Sequence, residues 1–349
     1  MIYLKEKTIS YDDICLVPQY SDLMSRSEAD ISQFGMKNPI MNSPMIHTCS
    51  KAMLNYCIDN NMGTTIHRYF KNAEEQLAYA KVSVGEKFNK LFFAVGHNEI
   101  WIDYLLNNGV TLLLIDMAHG DSKHCEDTVK YIRDKTNNIR NVIIIAGNVA
   151  TKEGYTRLIH AGADMVRVNI ASGSICSTAK NTAFGVPAVT SIMDCAKAKK
   201  EIGGLIIADG GIRSAADILK AIACGADFVF CGKLLASTDL AEGPFYWKDA
   251  LTRCSTPELA SWCEYAGMAS HEMRMRNGTH KTSDISIEGV AGLIKYRGTT
   301  DTVIKNIEAN LRAGMSYCGA RNWKEFYEFA VIREMSTAGI IEKETHLDG

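Results

Sequence analysis

Eight short apolar runs, each closed by Gly, Asn, Asp or another polar residue, recur along the chain and alternate with segments of helical spacing. They are Pro39 to Asn42, Gly63 to His67, Leu91 to Val95, Thr111 to Asp116, Val142 to Ala146, Met165 to Asn169, Leu205 to Ala208 and Phe228 to Cys231. Runs this short and this apolar are expected as buried strands. The segments between them, among them Glu99 to Asn107, Ser122 to Lys135, Lys152 to Ala161, Thr190 to Glu201 and Ser214 to Cys224, space their apolar residues as helices do. Strands that are apolar on both faces need cover on both, which crossover helices in a parallel sheet supply. The alternation predicts an α/β fold, a closed (β/α)8 TIM barrel. An open doubly wound sheet is disfavoured because its Gly-x-Gly-x-x-Gly turn after the first strand is missing.

Residues 1–349 read as one catalytic barrel domain, with 1–38 as an N-terminal arm. Ser270 to Ser286 is rich in His, Arg and Lys and has little periodicity, so 270–287 is expected to be a mobile loop or flap. Helical spacing returns in Thr302 to Arg312 and Trp323 to Arg333, which are expected to close the barrel. Lys+Arg 38 against Asp+Glu 40 leaves a net charge of -2, with no positive excess to neutralise a polyanion. The longest apolar runs fall far short of the roughly 20 residues that cross a bilayer. Met1 to Ser10 carries Lys5, Glu6 and Lys7 and no apolar stretch before a cleavage site. Neither nucleic acid nor a membrane is expected as a partner. Cys 11, with no Cys-x-x-Cys pair, suits a reduced, cytoplasmic protein whose thiols are mostly small core residues.

In such a barrel the active site lies at the C-terminal ends of the strands. Those ends read Asn42-Ser43, His67-Arg68, His97-Asn98, Asp116 through His119-Gly120, Gly147-Asn148, Asn169 through Cys176, Asp209-Gly210-Gly211 and Gly232-Lys233. Each alone is an ordinary loop former; together they make a polar ring. Ala171 to Thr178 combines small residues that let backbone approach a ligand, hydroxyls suited to phosphate, and one thiol. Cys176 is the candidate nucleophile there, with Thr178 placed to relay protons. Loops after the last two strands of a barrel often bind phosphate through backbone amides. Asp209, an acceptor when ionised, suits a pair of ribose hydroxyls. With Ser174, this set describes a nucleoside monophosphate site.

The run Gly173-Ser174-Ile175-Cys176-x-Thr178, then Ile207 to Arg213 (IADGGIR), Tyr265-x-Gly267-Met268 and Glu288-Gly289, resembles the IMP dehydrogenase and GMP reductase family in order and spacing. The likeness extends from Tyr11-Asp12-Asp13 to Tyr317-x-Gly319. It implies a purine nucleotide, GMP or IMP, attacked at C2 by Cys176 to give a covalent thioimidate, with hydride exchanged between C2 and a nicotinamide cofactor. Within the family, a dehydrogenase usually carries a pair of CBS modules after the second strand, where this chain has only Lys71 to Lys90. Its flap also uses an Arg-Tyr pair to activate water, whereas Ser270 to Ile287 contains Arg274-Met275-Arg276 and no Tyr. Ser25 to Glu28, Ile66 to Tyr69 and Asp116 to Gly120 look reductase-like as well.

For GMP reduction with NADPH, the resemblance implies Cys176, Thr178 and Glu288 as catalytic residues. Ser43, Met45, Ser174, Asp209, Gly211, Gly232, Lys233, Met268 and Ala269 would hold the nucleotide. Asp116, Asn148, Ser270 and Gly289 would face the cofactor. Backbone carbonyls of Ala171, Gly173 and Cys176 would hold a potassium ion, and the assembly would be a homotetramer. Two departures stand out. Asn169-Ile170-Ala171-Ser172 replaces the family's Gly-Ile-Gly-Pro, and Lys233 replaces a phosphate-binding Ser, where it is expected to meet phosphate as a point charge. The alternatives are an IMP dehydrogenase without CBS modules and a nucleotide-binding regulator without catalysis. Retention of Cys176, Thr178 and Glu288 argues against the regulator.

Overall fold

Side chains along a strand alternate between two faces, and here both faces are filled. The computed structural model describes residues 7–137, 141–268, 270 and 289–342. A short β1 (Ile14–Val17) precedes eight strands at the expected runs: β2 (Ile40–Asn42), β3 (Thr64–Ile66), β4 (Leu91–Val95), β5 (Leu112–Asp116), β6 (Ile143–Val149), β7 (Met165–Val168), β8 (Leu205–Asp209) and β9 (Phe228–Cys231). These eight form one sheet in the order β2-β9-β8-β7-β6-β5-β4-β3. A parallel bridge between Met41 and Gly63 brings β2 against β3, and Thr65 N donates to Asn42 Oδ1 across that seam at 2.7 Å. The (β/α)8 barrel read from the sequence is borne out.

One strand face fills the barrel axis with Met41, Phe92, Leu114, Ile145, Met165, Ile207 and Phe230. The other, with Phe93, Leu113, Ile144, Val166, Ile206 and Val229, packs beneath the helices. Two residues further along the inward face, Leu114, Met165 and Ile207 lead to Asp116, Arg167 and Asp209. The apolar axis therefore ends, at its C-terminal mouth, in a layer of charge.

The outer helices include Glu99–Asn107, Lys123–Lys135, Lys152–Ala161, Ala188–Ile202 and Ala215–Ala223. Ser122 and Ser214 are N-caps rather than helical residues, and each hydroxyl accepts from a backbone amide of the first turn. Between β3 and β4, residues 71–90 hold only a helix, Ala73–Val84, and a 3-10 turn, Gly85–Lys90. Among the described residues no helix is long and apolar enough to cross a membrane.

The C-terminal part differs from expectation. The barrel closes through β2, while the helix Thr300–Ser316 covers it from outside. There Glu308 accepts from Asn38 Nδ2 at 2.9 Å. Trp323 to Arg333 is not one helix. It is a helix at Trp323–Phe329 followed by β14 (Val331–Glu334), which pairs antiparallel with β1 of the N-terminal arm. Val331 and Ile332 are β-branched and favour strand, but the deciding partner lies at the other end of the chain. The sequence pattern predicts no second sheet, yet the structure contains one. After β9, β10 (Phe245–Tyr246), β11 (Arg253–Cys254), β12 (Trp262–Ala266) and β13 (Ala291–Lys295) form an antiparallel sheet ordered β11-β10-β12-β13. It pairs Ala266 with Ala291 and sets Gly289 against Cys176; of the expected 270–287 flap, 271–287 lie outside the described residues.

Candidate active site

The loop after β7 carries the thiol. Asn169 and Ala171 sit at φ 111 and φ 68, left-handed values that cost a side-chain-bearing residue energy. These are the two positions at which Gly stands in the resemblance. Cys176 N donates to Gly173 O at 3.0 Å, and Sγ donates to Thr178 Oγ1 at 3.2 Å. Cys176 is exposed, whereas nine of the other cysteines are buried and Cys15 is intermediate. Burial pushes the thiols of Cys49, Cys57, Cys125, Cys224 and Cys263 up to about 12, so those groups stay protonated and inert at neutral pH.

The charged layer lies at the start of this loop, where Asn148 Nδ2 donates to Asn169 O at 2.9 Å. Arg167, 7% exposed, donates from Nη1 to Asp116 Oδ1 at 2.5 Å and from Nη2 to Asp209 Oδ2 at 2.7 Å. Arg68 Nε reaches Asp116 Oδ2 at 3.2 Å, and Asn148 Nδ2 reaches Asp209 Oδ2 at 2.8 Å. The Arg167 guanidinium also lies 5.1 Å from the centre of the Phe230 ring. Burial opposes ionisation of Asp116, but the charges of Arg167 and Arg68 outweigh it and hold the carboxyl below its usual range. Burial likewise opposes the Arg167 charge, and Asp209 and Asp116 together raise its pKa. His67 at the end of β3 is different: burial pushes it down to about 4, so the ring is neutral at pH 7. It accepts from Tyr69 N and stacks on Phe70.

A third cluster surrounds Gly232. A Cβ there would collide with the Tyr265 hydroxyl and lie 3.3 Å from Ser43 Oγ and 3.5 Å from Met45 Sδ. Tyr265 OH donates to Met45 Sδ at 3.4 Å. Gly210, at φ 84, presses on the nucleophile loop, since an added Cβ would lie 2.8 Å from Gly173 N. We expect Gly232→Ala to be an overpacking change that displaces the buried Tyr265 ring and costs about 1–3 kcal/mol. Equilibrium urea unfolding checks this, and an unchanged midpoint would refute it.

Of the residues singled out in the sequence, Asp116, Asn148 and Asp209 meet in one network, while Ser43, Met45 and Gly232 meet around Tyr265. Ser174 is exposed beside Cys176, and a Cβ added to Gly211 would lie 3.1 Å from the Tyr11 ring and 3.6 Å from Ser172 O of the same loop. Met268 is half-buried, Ser270 is fully buried with N bonded to Gly267 O at 2.9 Å, and Gly289 forms a bridge to Cys176. Ala269 and Glu288 lie outside the described residues. No group of three or more His, Cys, Asp or Glu among the described residues could hold a metal; the carbonyls of Ala171, Gly173 and Cys176 are the candidate cation ligands, and that of Gly173 already accepts the Cys176 amide. Sequence reasoning gave no role to Arg167, which interrupts an otherwise apolar strand. That was the available signal, because a lone charge at a buried inward position has to be paired.

Residues 8–346 match the family described as the IMP dehydrogenase / GMP reductase domain. The chain belongs to that family. It is 37% identical over 242 residues to the inosine-5'-monophosphate dehydrogenase of Nitrosopumilus maritimus, covering 69% of this chain and 50% of the relative. The corresponding enzyme of Aquifex aeolicus is 40% identical over 256 residues, 72% of this chain and 51% of the relative. The GMP reductase of Leishmania major is 39% identical over 243 residues, 69% and 49%. The chain thus spans about half the length of the curated relatives it matches. Since that share is the same under both names, overall similarity and length do not separate the two oxidoreductase activities. The family resemblance read from the motifs is borne out.

Proposed function

We propose that this chain is a GMP reductase, converting GMP to IMP and ammonia with NADPH. The observation that carries the reading is the exposed Cys176 thiol at the barrel mouth, with Thr178 Oγ1 at 3.2 Å. Cys176, as thiolate, adds to C2 of GMP. The C2–N bond then breaks, and the amino group leaves as ammonia after taking up a proton through Thr178 and Glu288. NADPH, when bound, supplies the hydride that C2 receives. The C–S bond then breaks, the electron pair returns to Cys176, and IMP is released.

In this reading Asp209, held from below by Arg167 and Asn148, presents its remaining oxygen to the ribose. Ser174, Gly211, Gly232 and Lys233 surround the phosphate, and Ser43, Met45, Met268 and Ala269 face the nucleoside. Asp116, Asn148, Ser270 and Gly289 lie toward the nicotinamide. A potassium ion on Ala171, Gly173 and Cys176 carbonyls and a homotetramer complete the proposal. One observation favours reduction over IMP oxidation: 270–287 contains no Tyr to partner an Arg in activating water.

Mixing the protein with GMP and NADPH and following the nicotinamide absorbance tests the proposal. Oxidation of NADPH is expected. IMP-dependent reduction of NAD instead would make it a dehydrogenase, and nucleotide binding without either reaction would make it a regulator.

A further inference from the structure

The nucleophile loop is held from the side by the backbone just after β12 and just before β13. Val290 N donates to Ile175 O at 3.0 Å, and Gly267 N donates to Val290 O at 3.0 Å. Gly289 forms an antiparallel bridge with Cys176 itself. Three backbones thus cross at one point: the end of β12, the start of β13, and the residue before the thiol. A Cβ on Gly267 would lie 3.0 Å from Gly289 Cα and 3.3 Å from Ile175 O, and one on Gly289 would lie 3.1 Å from Ser270 N. These spacings are too tight for a side chain unless the chains move apart. On the opposite side the loop is backed by Gly210, where an added Cβ would lie 2.8 Å from Gly173 N, so the loop that carries Cys176 is enclosed between Gly210 and the crossing and any separation there bears on it.

We infer that the Gly267–Gly289 crossing is a positioning element for Cys176, in which the missing side chains let the Val290 amide reach Ile175 and set where Sγ stands. Neither glycine need touch the reacting atoms for this role. The inference rests on the proposed reaction for its kinetic consequence, but the placement of the thiol can be read without it. A displacement of a few tenths of an ångström to 1 Å at a nucleophile costs up to about 100-fold in rate.

The test compares Gly267→Ala and Gly289→Ala with Gly292→Ala, a glycine within β13 where an added Cβ meets nothing within 4 Å. The first two are expected to lower kcat by about 10- to 100-fold, with the GMP dissociation constant and the unfolding midpoint close to wild type. Gly292→Ala is expected to keep the wild-type kcat. Independently, the rate at which iodoacetamide labels the Cys176 peptide, read by mass spectrometry, should change several-fold in the first two variants and not in Gly292→Ala. Labelling assumes nothing about substrate, so a wild-type protein inert to both nucleotides would end the proposed reaction and leave this comparison to decide the inference. Wild-type kcat and labelling in a folded Gly267→Ala or Gly289→Ala overturns it. Equal impairment of Gly292→Ala, or loss of GMP binding with unchanged labelling, overturns it too. If one of the two fails to fold, the other decides.

Discussion

Cys176→Ala is expected to abolish turnover, by about 1,000-fold or more, while GMP binds within about threefold of the wild-type affinity. Losing a covalent nucleophile removes the step that divides the reaction, and no neighbouring group replaces it. The side chain is exposed and hydrogen-bonded to Thr178 Oγ1, so its truncation should leave stability within about 0.5 kcal/mol. Stopped-flow turnover and calorimetric titration with GMP separate the two effects. Residual turnover near wild type would show that Cys176 is not the nucleophile. Loss of binding in a folded variant would show that the thiol is a wall of the pocket.

Arg167→Met should have the largest effect on stability. The substitution keeps much of the side-chain volume beneath Phe230 but leaves Asp209 with Asn148 alone and Asp116 with the more exposed Arg68. Breaking a buried pair by removing one partner costs about 3–5 kcal/mol, because the remaining charge stays desolvated. The sign with pH follows from Asp116. Its folded pKa is depressed, so in the wild type its contribution is present above the unfolded value of about 4 and is lost as pH falls through the folded value. In the variant, burial dominates, and protonation relieves the uncompensated charge. The stability gap between wild type and Arg167→Met should therefore narrow as pH falls from 7 toward 4. Urea unfolding across that range checks it; a gap that stays constant would mean that the carboxylates are not what Arg167 neutralises. Activity should fall as well, because Asp209 loses the donor that orients it.

The charged layer also shows how far the residues could be read in isolation. Asp116, Asn148 and Asp209 stood out because each ends an apolar run with a polar side chain. Assigning the first two to a cofactor and the third to a ribose treated them as separate, whereas Arg167 joins Asp116, 51 positions away, to Asp209, 42 positions away. Nothing local announces such a pairing. It exists because β5, β7 and β8 deliver their inward residues to one level of a closed barrel. The same holds for Val331 and Ile332, which follow a helical segment and become strand because β1 offers an edge.

Strand and helix alternation, the polar strand ends and the order of the family motifs were set by the sequence alone, since periodicity, turn chemistry and caps act over a few residues. Which strand ends share a charge, and how two glycines beyond β9 come to bear on the Cys176 loop, was decided only in three dimensions. Those contacts depend on chain closure and on backbone approach between segments far apart in sequence, and neither leaves a local periodic trace.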